Sequence, residues 1–138
     1  MIELSAGECR TLLRPGGVGR LAFLTPGGLR MVPLNFAANE SVIVFRTLAD
    51  SELGRYGEGA EAVFEADEVD PATETGWSVL ASGRLSRPSD QDESWDISGW
   101  RNPTPWSGGD RNFHLELRWQ SLSGRRLVRS DPATGVET

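Results

Sequence analysis

Lysine is missing from the chain, so all fourteen basic residues are arginines, and twenty Asp and Glu residues outnumber them. The formal net charge is −6 at pH 7. A protein that binds along nucleic acid needs a basic face to neutralise phosphates, so this balance argues against nucleic acid as the main partner. Without lysine, any anion-binding role in this chain has to be met by arginine.

Cysteine and histidine are nearly absent, with one residue of each. The single Cys9 excludes an internal disulfide and a multi-cysteine metal site. It lies at helical spacing with Leu12 and Leu13, behind a capping box formed by Ser5 and Glu8, so it is predicted to be a packed core residue. No arrangement typical of nucleophilic catalysis and no metal-ligand spacing is present, so the sequence predicts neither a catalytic side chain nor a metal site.

Long apolar runs are also missing. No stretch approaches the ~18–20 apolar residues of a membrane span, and the first residues lack the basic and apolar regions of a signal peptide. Hydrophobic residues make up 38% and charged residues 25% of the chain, which is typical of a globular domain. We expect one cytoplasmic domain over residues 1–129, without membrane contact, and a polar tail over residues 130–138.

What the chain does contain is a series of short segments rich in β-branched and aromatic residues, separated by turns with Gly, Pro and Asn. These segments predict six strands, at residues 20–25, 29–37, 42–47, 62–66, 77–85 and 113–120. Helix is expected only in short pieces near residues 5–13 and 50–56. The first three strands follow one another as a meander, and the whole order predicts a mainly β fold, a small antiparallel barrel.

Two polar segments interrupt the strand pattern. The first follows the fourth strand, has no histidine or convergent spacing, and is predicted to be a solvated loop rather than a metal site; its acidic residues are Asp67, Glu68, Asp70 and Glu74. The second, residues 88–111, contains prolines, glycines and three tryptophans: Trp95, Trp100 and Trp106. A polar segment with that many tryptophans is expected to be a lid or an arm packed on another surface.

The stretch with the most suggestive chemistry is residues 42–53. It opens as a strand whose apolar side chains alternate between two faces, and Arg46 and Thr47 follow at the strand end. Ser51 then stands where a helix can begin. A cation, two hydroxyls and the free N–H groups of a helix start are what a bound phosphate needs. The alternative is a surface strand end followed by an ordinary helix cap.

Taken together, a set of segments in order resembles the flavin-binding split barrels related to pyridoxamine 5′-phosphate oxidase, and most of all their short, stand-alone actinobacterial-type members. The segments are residues 19–23, 32–36, 43–47, 63–67, 76–79, 83–84 and 124–126. The resemblance implies a six-stranded antiparallel split β-barrel with a few short helices. It also implies a homodimer with two flavin sites at its interface, each built from both chains.

The same resemblance implies where a flavin is bound. The ring is expected along the second strand, at Val32, Pro33, Leu34 and Asn35, which suits a proline inside a strand. The phosphate is expected at the end of the third strand, at Phe45, Arg46, Thr47 and Ser51. Trp77 and Trp106 are expected near the interface, where a flat cofactor offers a stacking face; core packing is the alternative for Trp77.

One position departs from the family's pattern. Where the family has a Ser/Thr-Lys pair whose lysine binds the phosphate, this chain has Ser51 followed by Glu52. A carboxylate there repels a phosphate dianion. Arg55, one helical turn further on, is predicted to reach back and replace the missing charge.

Two classes of function follow. The first is an oxidoreductase that holds FMN, or the deazaflavin F420, and passes a hydride to or from a small molecule; the ring does the chemistry, so no catalytic side chain is required. The second is a non-catalytic module that binds a flavin or related ligand, or a member with no cofactor. Pyridoxamine phosphate itself is disfavoured as substrate, because the chain is short and acidic.

Overall fold

The computed structural model describes residues 1–88 and 113–129. It contains seven strands and two short helices within those ranges: β1 (Ile2–Glu3), α1 (Ala6–Leu13), β2 (Gly17–Thr25), β3 (Gly28–Ala38), β4 (Val42–Thr47), α2 (Glu52–Tyr56), β5 (Glu61–Asp70), β6 (Thr75–Ser86) and β7 (Phe113–Leu127). Nearly all of the predicted lid, with Trp95, Trp100 and Trp106, lies outside the described residues, as does the predicted tail.

The strands form one antiparallel sheet in the order β1-β7-β4-β3-β2-β5-β6, and β6 also pairs with β7, so the sheet closes on itself. The predicted antiparallel barrel is therefore confirmed, and all six predicted strands are present. The additional strand, β1, has only two residues and pairs with Arg125 and Arg126 of β7. A two-residue strand leaves no alternation in the sequence that could reveal it.

The interior of the barrel is filled by aromatic and aliphatic side chains. Phe64 packs against Phe36 at 4.8 Å and Phe45 at 5.4 Å between ring centroids. Cys9 of α1 is fully buried in the same cluster, as predicted. The Cys9 sulfur lies so close to Gly124 that a Cβ on that glycine would be 2.7 Å away, so a side chain at position 124 would push α1 off the barrel.

Both helices begin at the residues expected from their caps. Ser5 Oγ accepts from Glu8 N at 3.1 Å while Ser5 N donates to Glu8 Oε1 at 2.8 Å, which is the predicted capping box. Ser51 caps α2 in the same way through Gly54 N. The second helix is two residues shorter than predicted, because Asp50 and Ser51 precede it as turn and cap. No helix in the described ranges is long and apolar enough to cross a membrane.

Strand β4 is buried on both faces. Ile43 and Phe45 point into the barrel, while Val42 and Val44 join Ala37 in a second small apolar cluster on the outer side. The alternation expected for this strand is confirmed. On the same outer side of the sheet, Glu116 of β7 is the cross-strand partner of Val44 and is only 4% exposed.

The acidic segment after the fourth strand differs from its prediction. Strand β5 runs on to Asp70 and pairs with β6 as far as Thr75, so Asp67, Glu68 and Asp70 belong to the strand. Only residues 71–74 form the turn, with Glu74 at a φ of 56°. The cause is hairpin pairing, which extends strands through residues whose own β-propensity is low. The side chains are exposed as predicted, and the residues that the structure describes contain no cluster suited to a metal ion.

Candidate functional site

The barrel has a split between β3 and β4. Strand β3 pairs with β2 along most of its length, from Gly28 to Phe36, but with β4 only at Phe36, Ala37 and Ala38. Along residues 28–35 the side of β3 that faces away from β2 therefore has no partner strand within the described ranges. A free strand edge presents unpaired N–H and C=O groups, which a ligand can bind.

The register shows which backbone groups face the split. Asn39 N–H donates to Val42 C=O at 3.0 Å, so the adjacent pair Ala38–Ile43 is a non-hydrogen-bonded pair of the β3–β4 ladder. Backbone groups alternate sides along a strand, so the odd-numbered residues of β3 point towards β4 and then into the split. The groups presented there are the N–H and C=O of Met31, the C=O of Pro33 and the N–H of Asn35.

This geometry accounts for a proline inside a strand. Pro33 is paired in register with Arg20 of β2, yet the alternation directs its nitrogen towards the split, so no bond of the β2–β3 ladder is lost. Of the four residues expected along a flavin ring, Pro33 and Asn35 present backbone groups to the split. Val32 and Leu34 turn theirs towards β2, and their side chains pack on the barrel core.

The end of β4 supplies the predicted phosphate residues, but its hydroxyls are engaged with each other. Ser51 Oγ donates to Leu48 C=O at 2.7 Å, accepts from Gly54 N at 3.0 Å and lies 3.1 Å from Thr47 Oγ1. Thr47 is buried, and Phe45 is fully buried in the core. These contacts are those of an ordinary helix cap, the alternative left open by the sequence. A role for these three residues in holding a phosphate stays a prediction.

The cation beside Glu52 comes from β3. Arg30 Nε lies 3.1 Å from both carboxylate oxygens of Glu52, so one ion pair spans the split from the start of β3 to the start of α2. Sequence reasoning missed Arg30, because the pair joins residues 22 positions apart and no local pattern relates them. The signal that the sequence did offer was chemical. Glu52 places a carboxylate where the family has a lysine, and Arg30 lies on a predicted strand of the same sheet.

The other predicted cations lie elsewhere around the split. Arg55 Nε donates to Asp50 C=O at 3.0 Å, so its guanidinium holds the turn before α2. Arg46 is half-buried at the end of β4, opposite His114 of β7. Whether Arg46 and Arg55 contact a cofactor stays a prediction, and the arginine that meets Glu52 is Arg30.

Trp77 does not lie beside the residues at the end of β4. Trp77 is half-buried, packs against the core cluster and pairs in register with Arg126. Arg126 lies near the far end of β7, whereas Thr47 pairs with Phe113 at its beginning. Core packing, the alternative for Trp77, is what the structure shows within one chain. Trp106 lies outside the described residues.

A charged cluster missed by sequence reasoning lies on the outer face beside Pro33. Arg20 NH2 donates to both carboxylate oxygens of Asp67 at 3.0 Å, and Arg20 Nε lies 3.3 Å from Glu65 Oε1. That oxygen is buried and lacks hydrogen-bond geometry to the arginine. Burial, followed by the hydrogen bond to Asp67 and the negative charge of Asp67, raises the pKa of Glu65 to about 7. The hydrogen bond from Glu65, and then Arg20, lower the pKa of Asp67.

A closed antiparallel barrel that is split between two neighbouring strands is the architecture of the split-barrel proteins. This chain belongs to the pyridoxamine 5′-phosphate oxidase family, whose model of that description matches residues 5–126. The family resemblance and the fold read from the sequence are both confirmed.

Individual relatives agree with this assignment. The structure is similar to that of an FAD binding protein from Mycobacterium smegmatis, with a TM-score of 0.77 and 25% identity over 92% of this chain and 98% of the other. An FAD-binding protein from Mesorhizobium loti shares the fold, with a TM-score of 0.66 and 21% identity over 92% and 96%. An uncharacterised protein of Mycobacterium tuberculosis is 26% identical over 93% of this chain and 86% of its own length.

Proposed function

We propose that this protein binds a flavin in the split between β3 and β4 and works as an oxidoreductase on a small molecule. The free edge of β3 is the observation that carries the proposal. The FAD binding protein of Mycobacterium smegmatis, at 25% identity over nearly the whole chain, supports it. FMN and the deazaflavin F420 are the cofactors expected from the sequence, and both have a flat ring with a phosphate-bearing arm.

The residues at the split fit such a ligand. One edge of a flavin ring presents two carbonyl oxygens with an N–H between them. The free edge of β3 offers the complementary groups, namely the N–H of Met31 and Asn35 and the carbonyl oxygens of Met31 and Pro33. Backbone groups on a barrel strand are held in place by the β2–β3 ladder, so they are already arranged to bind.

The same residues explain why no catalytic side chain is needed. A bound flavin supplies hydride transfer, and the protein contributes binding and orientation. The β3 edge fixes the plane of a ring, and Arg30, at the end of that edge, provides the positive charge for a phosphate arm. Leu29 and Met31 place apolar side chains on the outer face beside the split, 74% and 68% exposed, where a covering surface would exclude water.

Absorbance spectra of the purified protein, alone and after addition of FMN, FAD or F420, test the proposal. We expect the visible band of a bound ring, and its bleaching and recovery when a reductant and then a small-molecule acceptor are supplied. A protein that ignores all three cofactors contradicts flavin binding. A protein that binds the ring but shows no turnover is a binding module, the second class of function drawn from the sequence.

A further inference from the structure

The guanidinium of Arg30 is held in one place at the open end of the split. Its Nε binds both oxygens of Glu52 at 3.1 Å, and its NH1 donates to the carbonyl of Leu29 at 3.1 Å. The β2–β3 turn makes room for it, since a Cβ on Gly27 would lie 2.9 Å from Arg30 NH2. The arginine is thus positioned by the turn on one side and by the carboxylate on the other.

Glu52 occupies the place that an anionic ligand would take on this arginine. Arginine binds carboxylates and phosphates through the same N–H groups, and here the Nε N–H meets both oxygens of Glu52, so the carboxylate takes a position that phosphate oxygens could take. Both side chains are partly open to water, with 38% of Arg30 and 52% of Glu52 exposed. A ligand phosphate can therefore reach Arg30, but it meets a carboxylate already bound there.

The free-energy cost of placing a phosphate beside Glu52 depends on the charge of the phosphate. A phosphate with a single ester bond carries close to two negative charges at pH 7, because its second pKa is about 6. A phosphate esterified on both sides carries one. The Glu52 carboxylate repels each negative charge that lies a few ångströms away. The repulsion is stronger than in bulk water, because the Arg30–Glu52 pair is only half-exposed.

We propose that Glu52 determines which class of flavin phosphate the split accepts: a phosphate in a diester or diphosphate linkage, with one charge, in preference to a terminal phosphomonoester dianion. The proposal rests on the flavin function above and deepens it. Arg30 supplies one positive charge, which a singly charged phosphate and Glu52 can share. Beside Arg30 and Glu52, a singly charged phosphate leaves one surplus negative charge and a dianion leaves two, and Asp50, exposed nearby in the turn before α2, adds to the repulsion.

Riboflavin, FMN and the monomethyl phosphate ester of FMN form a matched set of probes. They carry the same ring and arm, with zero, two and one negative charges near neutral pH. Binding is measured by quenching of flavin fluorescence at low ionic strength, where surface charge effects are least screened. We expect the wild-type protein to bind the monomethyl ester about five- to tenfold more tightly than FMN, which corresponds to ~1–1.4 kcal/mol at 1.36 kcal/mol per tenfold.

The variant Glu52→Gln keeps the shape of the side chain and removes its charge. We expect it to bind FMN more tightly and to lose the preference for the ester, while its affinity for riboflavin stays within about twofold of wild type. Glu58→Gln is the matched control: it removes one exposed carboxylate just after α2, outside the Arg30 ion pair, and should keep the preference.

The outcomes separate the two proposals. If riboflavin, FMN and the ester all fail to bind, flavin binding itself is wrong, and the role of Glu52 with it. If they bind but wild type shows no preference for the ester, or Glu52→Gln keeps that preference, flavin binding stands and Glu52 does not select the phosphate. If Glu58→Gln abolishes the preference as well, net charge and not the ion pair is responsible, which also overturns the assignment to Glu52.

Discussion

Charged side chains on the outer face of β2 and β5 are arranged so that one carboxyl holds its proton near neutral pH. Glu65 lies between Arg20 and the apolar surface of the sheet, and Asp67 takes most of the favourable contact with the arginine. The pKa of Glu65 is raised and that of Asp67 is lowered, so the proton is held on Glu65 and the negative charge on Asp67. One arginine can stabilise one carboxylate fully here, and the second is better kept neutral.

The stability of the protein should therefore depend on the protonation of Glu65. Its pKa in the folded state, about 7, is above its ordinary value of 4.5, so its contribution is fully present below about pH 4.5 and is lost as pH rises through 7. We expect the free energy of unfolding to fall by about 1–3 kcal/mol over this window, with the quarter-exposed side chain favouring the lower figure. Urea unfolding at pH 5, 6, 7 and 8 measures it.

The variant Glu65→Gln should lack this fall, because an amide does not titrate. Glu68→Gln, on the same strand with an exposed side chain, serves as control and should keep the wild-type slope. The lowered pKa of Asp67 acts in the opposite sense: its contribution is present above about pH 3.8 and is lost as pH falls, below the window tested. A Glu65→Gln protein that retains the fall would show that another group causes it.

At the scale of the element, the two edges of strand β3 have different roles. One edge is bonded to β2 and holds the strand in the barrel, and the other has no partner strand along residues 28–35 within the described ranges. Pro33 helps to keep the second edge unpaired. Its nitrogen faces the split and has no hydrogen to donate, so a complete ladder of hydrogen bonds cannot form on that edge. A strand edge that stays open invites pairing with other chains, so keeping it open is more easily understood if a ligand occupies it.

A pair of substitutions at Asn35 tests whether the backbone of this edge binds the ring. Asn35→Ala removes the side chain and keeps the N–H that faces the split, whereas Asn35→Pro removes both. Because the N–H does not bond β2, neither variant breaks the β2–β3 ladder, and thermal unfolding should confirm a folded protein. We expect Asn35→Pro to weaken riboflavin binding by about 0.5–1.5 kcal/mol more than Asn35→Ala does, the net contribution of one hydrogen bond. Equal affinities would rule out a bond from this N–H.

At the scale of the whole molecule, the outer face of the sheet carries several exposed apolar side chains. Its exposed residues include Leu24, Leu29, Met31, Val63 and Leu80. Leu24, Leu29 and Val63 line a shallow depression of about 350 Å³ on β2, β3, β5 and β6. Apolar side chains collected on one face typically mark a binding surface.

A second copy of the chain is the partner we propose for this face, in keeping with the homodimer expected from the family. Sedimentation at micromolar concentration should give twice the chain mass of 15.1 kDa. The double variant Met31→Glu and Val63→Glu, on β3 and β5 at either side of β2, should shift the protein towards the monomer, because it places like charges at the contact. It should also weaken flavin binding if the site needs both chains. A wild-type protein that sediments as a monomer would exclude the dimer.

The sequence by itself determined those features that depend on neighbours along the chain. Alternating apolar residues defined β4, the Ser5–Glu8 box defined the start of α1, and the order of the segments defined the barrel and its family. Tertiary structure alone decided the rest, because it depends on residues brought together across strands. The partner of Glu52 is Arg30 and not Arg55, Glu116 is buried beside Val44 of β4, and the pKa of Glu65 is raised by burial and by the neighbouring Asp67. Charge and burial act through space, so they become visible only when the sheet has set the register of its strands.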